Sequence, residues 1–275
     1  MKHAFCIIAH HEPALFKRLC ASIDHQDVDI FVHIDKKSNL DQFQIKLKHS
    51  NLYFVNKPYS VTWGGFSQIK TEILLFKYAS TKGSYDYFHL LSGVDIILKP
   101  INKILSYFEE NKGYEFMGMR KADKFHYDRV CYYHFFVNRS MWATRFYKIE
   151  TKLQRLLGVE RIEEAYFGNN WCSITRTFVG VILSKESWIY EHFRFTMCAD
   201  EIYKQTIFHL WGTEAQLKDK GSIRLIDWDR GQPYTFTIDD LALLKSTDKL
   251  FARKFSSEHI EVVDAFAALR DERML

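Results

Sequence analysis

Closely spaced carboxylates are the first candidates for chemistry in this chain. Asp-x-Asp pairs, whose hard oxygen ligands can hold a divalent metal against a diphosphate, occur at Asp27-Val28-Asp29 and Asp227-Trp228-Asp229. Neither pair is specific, because a chain with 34 acidic residues produces such pairs by chance. Only Asp95 follows the fourth predicted strand, where a metal-binding pair beside a nucleotide would be expected. The sequence therefore predicts no metal site.

A third pair, Asp200-Glu201, opens a predicted helix. Carboxylates at a helix start commonly cap the helix or oppose its dipole, and this role suits Asp200. Adjacent side chains point in different directions, so one carboxylate can cap the helix while the other faces a pocket. A rigid helix start can hold a general base within hydrogen-bond reach of a hydroxyl. Glu201 is the candidate for this base, although its spacing alone fits a structural role equally well.

Positive charge is the alternative to a metal beside a diphosphate leaving group, because negative charge develops on the phosphate as the bond breaks. The candidates are Arg230, in the segment WDRG, and Lys254, in the segment FARKF. Composition alone favours ordinary roles for both: a turn for Arg230 and a solvated face for Arg253-Lys254.

Polar residues follow several predicted strands at their carboxyl ends. Apolar runs at 5–9, 29–35, 52–55 and 87–91 alternate with helical patterns, which favours parallel βαβ construction. In an open α/β sheet, ligands bind beyond the carboxyl ends of the strands, so His10, Asp35 and the segment 92–95 should converge on a nucleotide. The histidines near these ends are read first as structural hydrogen-bonding groups. They are His10, His11, His33 and His89.

Composition and missing motifs exclude several classes. The chain has no nucleophile elbow, phosphate loop or dinucleotide fingerprint, which argues against hydrolase, kinase and dehydrogenase functions. A net charge of +4 without a basic stripe argues against nucleic acid as a partner, but suits a diphosphate or peripheral contact with an anionic membrane. The five cysteines have no zinc or disulfide spacing and indicate reduced thiols. No stretch reaches the ~18 apolar residues needed to span a bilayer.

Six segments, in the same order, resemble the core-2/I-branching β-1,6-N-acetylglucosaminyltransferase family, which also contains the peptide O-xylosyltransferases. They are IIAH at 7–10, VHIDKKS at 32–38, WGGFS at 63–67, FHLLSGVD at 88–95, DE at 200–201 and FARKF at 251–255. The resemblance implies a GT-A fold: one α/β domain over residues 1–275, with a central mixed, mostly parallel sheet flanked by helices. Residues at about 1–120 would form the nucleotide-binding half and those at about 121–275 the acceptor-binding and catalytic half.

The resemblance also implies an activity: inverting, metal-independent transfer of GlcNAc or xylose from a UDP-sugar to a hydroxyl. It places Glu201 as the catalytic base and Lys254 as the phosphate-binding lysine, with Arg230 or Arg224 as its partner. Asp35 falls where a carboxylate accepts from the uridine, and Trp63 where a ring packs on the uracil. The other candidate contacts are His10 and Asp95 for the donor and Trp171 and Asp200 for the acceptor.

The chain lacks the anchor, stem and cysteine framework of the animal relatives, which favours a bacterial cytoplasmic enzyme, working in solution or at the inner face of the membrane. Its acceptor is then expected to be a glycan or glycolipid, such as a lipopolysaccharide or capsule intermediate. Two alternatives stay open. One is a metal-dependent transferase using Asp95 or Asp227-Trp228-Asp229. The other is a catalytically silent glycan-binding module of the same fold, in which Glu201 is only a helix cap.

Overall fold

Strands and helices alternate along the first half of the chain, as its sequence predicts. The computed structural model describes residues 1–135, 137, 141–213, 216–217 and 223–272, and leaves the side chains at 141–148 and 269–272 undescribed. The strands are β1 (His3–Ala9), β2 (Val28–Ile34), β3 (Asn51–Phe54), β4 (Tyr87–Ser92), β5 (Ile96–Ile97), β6 (Arg120–Lys121), β7 (Tyr166–Phe167), β8 (Ser173–Thr175), β9 (Arg224–Ile226) and β10 (Phe251–Arg253).

The helices lie between and after these strands. They are α1 (Pro13–Ser22), α2 (Ser67–Lys82), α3 (Ile101–Glu110), α4 (Lys124–Cys131), α5 (Met141–Leu156), α6 (Arg176–Ser184), α7 (Glu186–Phe193), α8 (Tyr203–Trp211), α9 (Leu241–Ser246) and α10 (Ile260–Glu272). A 3-10 turn at Ala199–Glu201 precedes α8. Within the described residues, no helix combines the length and apolar character needed to cross a membrane.

The main sheet has the order β3-β2-β1-β4-β8. β1 runs parallel to both β2 and β4, with Ala9 opposite Ile34 on one side and Ile8 opposite Ser92 on the other. β8 is antiparallel to β4. This register brings the carboxyl ends of β1, β2 and β4 to one edge of the sheet. The predicted α/β class, with a mixed, mostly parallel sheet, is confirmed.

Helices cover both faces of this sheet, because successive side chains on a strand point to opposite faces. Phe5 and Ile7 of β1 pack in one buried cluster with α1 and α3, whereas Ala4 and Cys6 pack in a second with α2, α6 and α8. β1, β2 and β4 are almost entirely buried, on both faces, which explains why they are continuous apolar runs in the sequence.

A second sheet has the order β5-β10-β9 and forms a third cluster with α9 and α10. The sequence predicts one of its strands, at 223–226, which matches β9. The other two, β5 and β10, were not predicted, because strands of two or three residues show no periodicity. The apolar stretch from Ser173 to Leu183 is divided between β8 and α6. The aromatic-rich stretch at about 121–159 contains α4 and α5, although residues 136 and 138–140 lie outside the described part. The single-domain assignment and its division into two halves stay predictions.

Candidate active site

The carboxyl ends of β1, β2 and β4 are joined directly by hydrogen bonds. The Asp35 amide donates to the Ala9 carbonyl at 2.9 Å, and the Gly93 amide donates to the Ile8 carbonyl at 3.0 Å. A Cβ at Gly93 would lie 2.7 Å from the Ala9 Cβ, so the close approach of these two strand ends requires glycine. Two of the predicted donor residues, His10 and Asp35, therefore share one edge with the segment leading to Asp95.

Asp35 holds the loop that carries Trp63. Its carboxylate accepts from the Lys37 amide at 2.8 Å and the Val61 amide at 2.9 Å, and the side chain is buried. Trp63 follows two residues after Val61, with 59% of its surface exposed. A ring so exposed at the strand edge is available to a flat ligand. The two residues expected to bind uridine are thus fixed to each other by one loop.

His10 and His11 extend from the end of β1 with their ring centroids 4.1 Å apart. Burial and the neighbouring His11 lower the pKa of His10. His33 and His89 have the structural roles expected of them. The His33 ring accepts from the Tyr59 amide at 2.9 Å, and buried His89 hydrogen-bonds to Ser173 at 2.9 Å.

The Trp63 loop is tied to the turn that carries Glu201. The Gly64 carbonyl accepts from the Cys198 amide at 2.7 Å, and the Gly64 amide donates to Gln68 Oε1 at 2.5 Å. Gln68 Nε2 in turn donates to Asp200 Oδ2 at 3.4 Å. Gly64 has a φ of +71°, and a Cβ there would lie 2.9 Å from Cys198 Sγ, so this junction also requires glycine. The predicted donor loop and the predicted catalytic turn meet here.

A fully buried lysine, Lys204, holds the turn that carries Glu201. Lys204 Nζ donates to the Asp200 carbonyl at 3.0 Å, to Asn170 Oδ1 at 2.7 Å and to Glu72 Oε2 at 2.5 Å. The Tyr203 hydroxyl donates to the same Glu72 oxygen at 2.7 Å. Both Lys204 and Glu72 are completely buried. A buried ion pair with its hydrogen bonds made in this way fixes local geometry, because breaking it leaves an uncompensated charge.

Glu201 lies at the end of this turn with its side chain 30% exposed. Its Oε2 accepts from Arg129 Nη2 at 2.8 Å. Arg129 is buried and also donates to the Cys198 carbonyl at 2.7 Å and the Met197 carbonyl at 3.3 Å. No described residue donates to Glu201 Oε1. One carboxylate oxygen is thus held by a buried cation, and the other can receive a proton from a ligand.

Asp200 occupies a different environment from its neighbour. It is buried, and burial together with the charges of Glu72 and Glu201 raises its pKa to about 7. The cap role considered for Asp200 is not observed, because α8 begins after Ile202 without a side-chain cap. The carboxylate instead accepts from Gln68 at the junction with the Trp63 loop.

Asp95 is buried beneath the site and paired with Arg253. Its Oδ2 accepts from the Ser92 amide at 2.9 Å, and Arg253 Nε lies 3.7 Å from Oδ1. Burial raises the pKa of Asp95 and the Arg253 charge opposes this effect. The Arg253 guanidinium also lies 4.4 Å over the Trp171 ring, so Arg253 contacts both Asp95 and the predicted acceptor residue.

Arg253 itself is not on the solvated face that composition favours. Its side chain is 14% exposed, and its Nε and Nη1 donate no hydrogen bond to any described residue. Buried guanidinium donors without acceptors are costly unless a ligand satisfies them. Arg253 is therefore an additional cation at the site.

Lys254 follows Arg253 in a segment that crosses the strand ends. The Phe255 amide donates to the Val94 carbonyl at 3.1 Å, and the Ser256 hydroxyl donates to Glu12 Oε1 at 3.1 Å. These bonds place Lys254 beside the ends of β1 and β4. Burial lowers the pKa of His11 there, and the Lys254 charge acts in the same direction. Among the described residues, no carboxylate lies within ion-pair distance of Lys254 Nζ.

The two candidate arginines differ sharply in accessibility. Arg224 is buried and donates to the Cys172 carbonyl at 2.8 Å, within the core. Arg230 has its side chain 43% exposed and is held by Asp227 at 2.6 Å and Asp240 at 2.7 Å. This pairing also engages Asp227 of the Asp-x-Asp segment. Within the described chain, no three His, Cys, Asp or Glu side chains come together as metal ligands would.

Several residues that build the site were not predicted from the sequence. They are Gln68, Glu72, Arg129, Asn170, Lys204 and Arg253. One signal was available: Glu72 lies on α2 among the core residues Ile69, Ile73 and Leu75, and a carboxylate on a buried helix face requires a buried partner. The identity of that partner depends on packing across the fold.

Comparisons with known proteins identify a family model and several curated relatives that match this chain. A family model described as core-2/I-branching enzyme matches residues 3–246. Rat xylosyltransferase 2 is 21% identical over 296 residues, 95% of this chain and 33% of the relative. Mouse xylosyltransferase 1 is 21% identical over 285 residues, covering 92% and 29%. The chain thus spans about a third of the length of these curated relatives.

A solved structure of mouse xyloside xylosyltransferase 1 in its apo form superposes with a TM-score of 0.41 at 10% identity. The superposition covers 94% of this chain and 98% of that chain.

Proposed function

The chain belongs to the core-2/I-branching enzyme family, a family of glycosyltransferases, and we propose that it transfers GlcNAc or xylose from a UDP-sugar to a glycan hydroxyl. The proposed reaction inverts the anomeric centre and needs no divalent metal. The observation that carries the proposal is the Glu201 carboxylate, which is partly exposed, held by buried Arg129 and placed beside the Trp63 loop.

Glu201 is the proposed general base. Inverting transfer needs one base within hydrogen-bond reach of the acceptor hydroxyl. Arg129 orients the carboxylate through Oε2, which leaves Oε1 to take the proton. The buried Lys204–Glu72 pair fixes the turn on which Glu201 stands. Rigid support of this kind keeps the base at a productive distance.

Positive side chains are the proposed replacement for a metal at the diphosphate. Lys254 and Arg253 follow one another across the strand ends, and Arg230 is the accessible one of the two candidate arginines. Fixed cations in a site with little water stabilise the charge that develops on the leaving phosphate. His10, at the same strand edge, is a further proposed donor contact.

The uridine is proposed to bind between Asp35 and Trp63. Each Asp35 oxygen already accepts one backbone amide, and each carboxylate oxygen can accept a second hydrogen bond. Trp63 offers an exposed ring for stacking on the base. Trp171 and Asp200 are the proposed acceptor contacts. A lipopolysaccharide or capsule intermediate inside a bacterial cell is the acceptor that we propose.

Glu201→Gln tests the base directly. The change keeps the shape and removes the proton acceptor, so UDP release with an acceptor should fall by ~10²-fold or more while UDP affinity is unchanged. The matched control is Glu186→Gln, because Glu186 has a side chain 31% exposed and is also paired with a cation, Lys77. Near-normal turnover in Glu201→Gln would refute the assignment.

The metal and donor questions are tested together by a thermal-shift panel of UDP-sugars with and without EDTA, since ligand binding raises the apparent stability. Stabilisation by UDP-GlcNAc or UDP-xylose and full turnover in excess EDTA are expected. Loss of turnover in EDTA would favour a metal-dependent transferase. Glycan binding without UDP release would favour a silent glycan-binding module.

A further inference from the structure

Helix α5 exposes an apolar stripe along its second half. Ile149 is 65% exposed, Leu153 56%, Leu156 75% and, directly after the helix, Leu157 70%. The Leu157 amide still donates to the Leu153 carbonyl at 3.0 Å, so the helical path continues through this residue. At about 100° per residue, the four side chains fall within a sector of about 100°. Four large aliphatic side chains on one exposed sector form a patch that needs an explanation.

Cations border one side of this stripe. Lys152 is exposed, and the Arg155 side chain is 50% exposed. Arg155 lies 3.0 Å from Asp128, which Lys124 also approaches at 3.4 Å, so two cations share one carboxylate. This edge of the helix therefore keeps an excess of positive charge.

Aromatic rings border the other side. Gln154 exchanges two hydrogen bonds of 2.8 Å with the backbone of Tyr133, which fixes the segment 133–135 against α5. The rings of Tyr133 and Phe135 stack with centroids 5.8 Å apart, and Phe135 is 59% exposed. Aromatic side chains of this kind are enriched at the boundary between water and lipid.

We propose that this surface, here called the α5 surface, binds the headgroup region of an anionic lipid bilayer. It consists of Tyr133, Phe135, Ile149, Lys152, Leu153, Arg155, Leu156 and Leu157. An apolar sector beside a basic edge is the pattern of helices that lie in a membrane interface, where the basic side chains meet anionic headgroups. A second copy of the chain fits less well. Antiparallel pairing of two α5 stripes about a two-fold axis would bring the two basic edges together.

Docking through the α5 surface would bring the active site close to the bilayer. Arg155 ties α5 to Asp128 of α4, and the next residue of α4, Arg129, holds Glu201. A lipid-linked acceptor would then meet the base near the surface in which it is anchored. The lipid binding itself does not depend on the proposed transferase activity, so the two can fail separately.

Sedimentation with lipid vesicles tests the proposal. The wild type should bind vesicles of equal parts phosphatidylcholine and phosphatidylglycerol more tightly than pure phosphatidylcholine vesicles, and added salt should weaken the binding. The test variant is Leu153→Glu with Leu156→Glu. Because each buried leucine contributes about tenfold or more in affinity, the partition coefficient should fall by ~10²-fold or more.

The matched control is Leu210→Glu with Leu243→Glu, which adds the same charge at leucines 45% and 42% exposed on other helices. It should bind vesicles as the wild type does, and melting temperatures confirm folding. The proposal is overturned if the wild type does not bind anionic vesicles, or if the α5 variant binds them as the control does. A wild-type dimer that the α5 variant dissociates, without vesicle binding, would assign the surface to self-association instead.

Discussion

Arg129→Met is the sharpest test of how the site works, because we propose that Arg129 positions Glu201 without touching the substrate. Methionine keeps most of the buried stem and removes the guanidinium. The wild-type Nη2 lies 2.8 Å from Glu201 Oε2 and 2.7 Å from the Cys198 carbonyl, on both sides of the catalytic turn. A hydrogen bond to a charged group is worth about 1.5–3 kcal/mol. If that energy holds the base in place, kcat falls by about 10- to 100-fold.

Measuring kcat, UDP affinity and melting temperature together separates a loss of positioning from a general loss of stability. UDP affinity should not change, because Arg129 lies behind the base and contacts none of the proposed donor residues. Arg129→Lys keeps the charge but not the forked donors, so it should recover part of the lost kcat. Steady-state release of UDP, measured with donor and acceptor in excess, gives kcat for each variant. Melting temperature reports any loss of stability.

Arg161→Met is the matched control. Arg161 is also partly buried and donates to a backbone carbonyl, that of Glu191, at 2.7 Å, but it does not contact Glu201. Its loss should leave kcat within about twofold. Wild-type kcat in Arg129→Met would refute the positioning role. Equal losses of kcat in both arginine variants, in proportion to the fall in melting temperature, would also refute it.

Two further predictions concern the support of the site. Lys204→Met should lower the free energy of unfolding, measured in urea, by about 3–5 kcal/mol, because it leaves Glu72 buried without its cation. Adding Glu72→Leu should restore much of the loss. An unchanged urea midpoint in Lys204→Met would contradict this account. The folded pKa of Asp200 is about 7 against a usual 3.8, so the folded chain holds a proton that the unfolded chain loses. The contribution of this proton to the free energy of unfolding is fully present below pH 3.8. Up to about 4 kcal/mol is then lost as the pH rises through 7. Asp200→Asn should remove this part of the pH dependence of unfolding, and a slope identical to the wild type would contradict the assignment.

The main sheet could be predicted because its strands are long and buried on both faces. β1, β2 and β4 appear in the sequence as apolar runs that end in polar residues, and their observed ends lie within a residue or two of the predicted ones. β10 is only three residues long and pairs with the equally short β9. Its position depends on contacts made across the whole fold, and no local pattern encodes them.

The candidate site residues named from the resemblance stay predictions, and the residues that support them were missed because packing across the fold brings them together. Glu201 and its partner Arg129 are 72 residues apart, and Lys204 and Glu72 are 132 apart. Sequence spacing gives no information about pairs at such distances. Arg253 was assigned to solvent because it stands beside Lys254 in a basic pair. Arg253 ends strand β10 with its side chain only 14% exposed, because it packs against Asp95 and Trp171, residues that lie far from it in the sequence.

The carboxylates that already pair with each candidate cation indicate which cation should bind a diphosphate most favourably. Arg230 is already held by Asp227 and Asp240, so a phosphate must share it or displace a carboxylate. Arg253 has one partner, Asp95, at 3.7 Å, and retains donors that no described residue satisfies. Lys254 has no described carboxylate in reach. The electrostatic gain from a phosphate is largest where no carboxylate must be displaced. We therefore expect Lys254 and Arg253 to hold the leaving group in preference to Arg230.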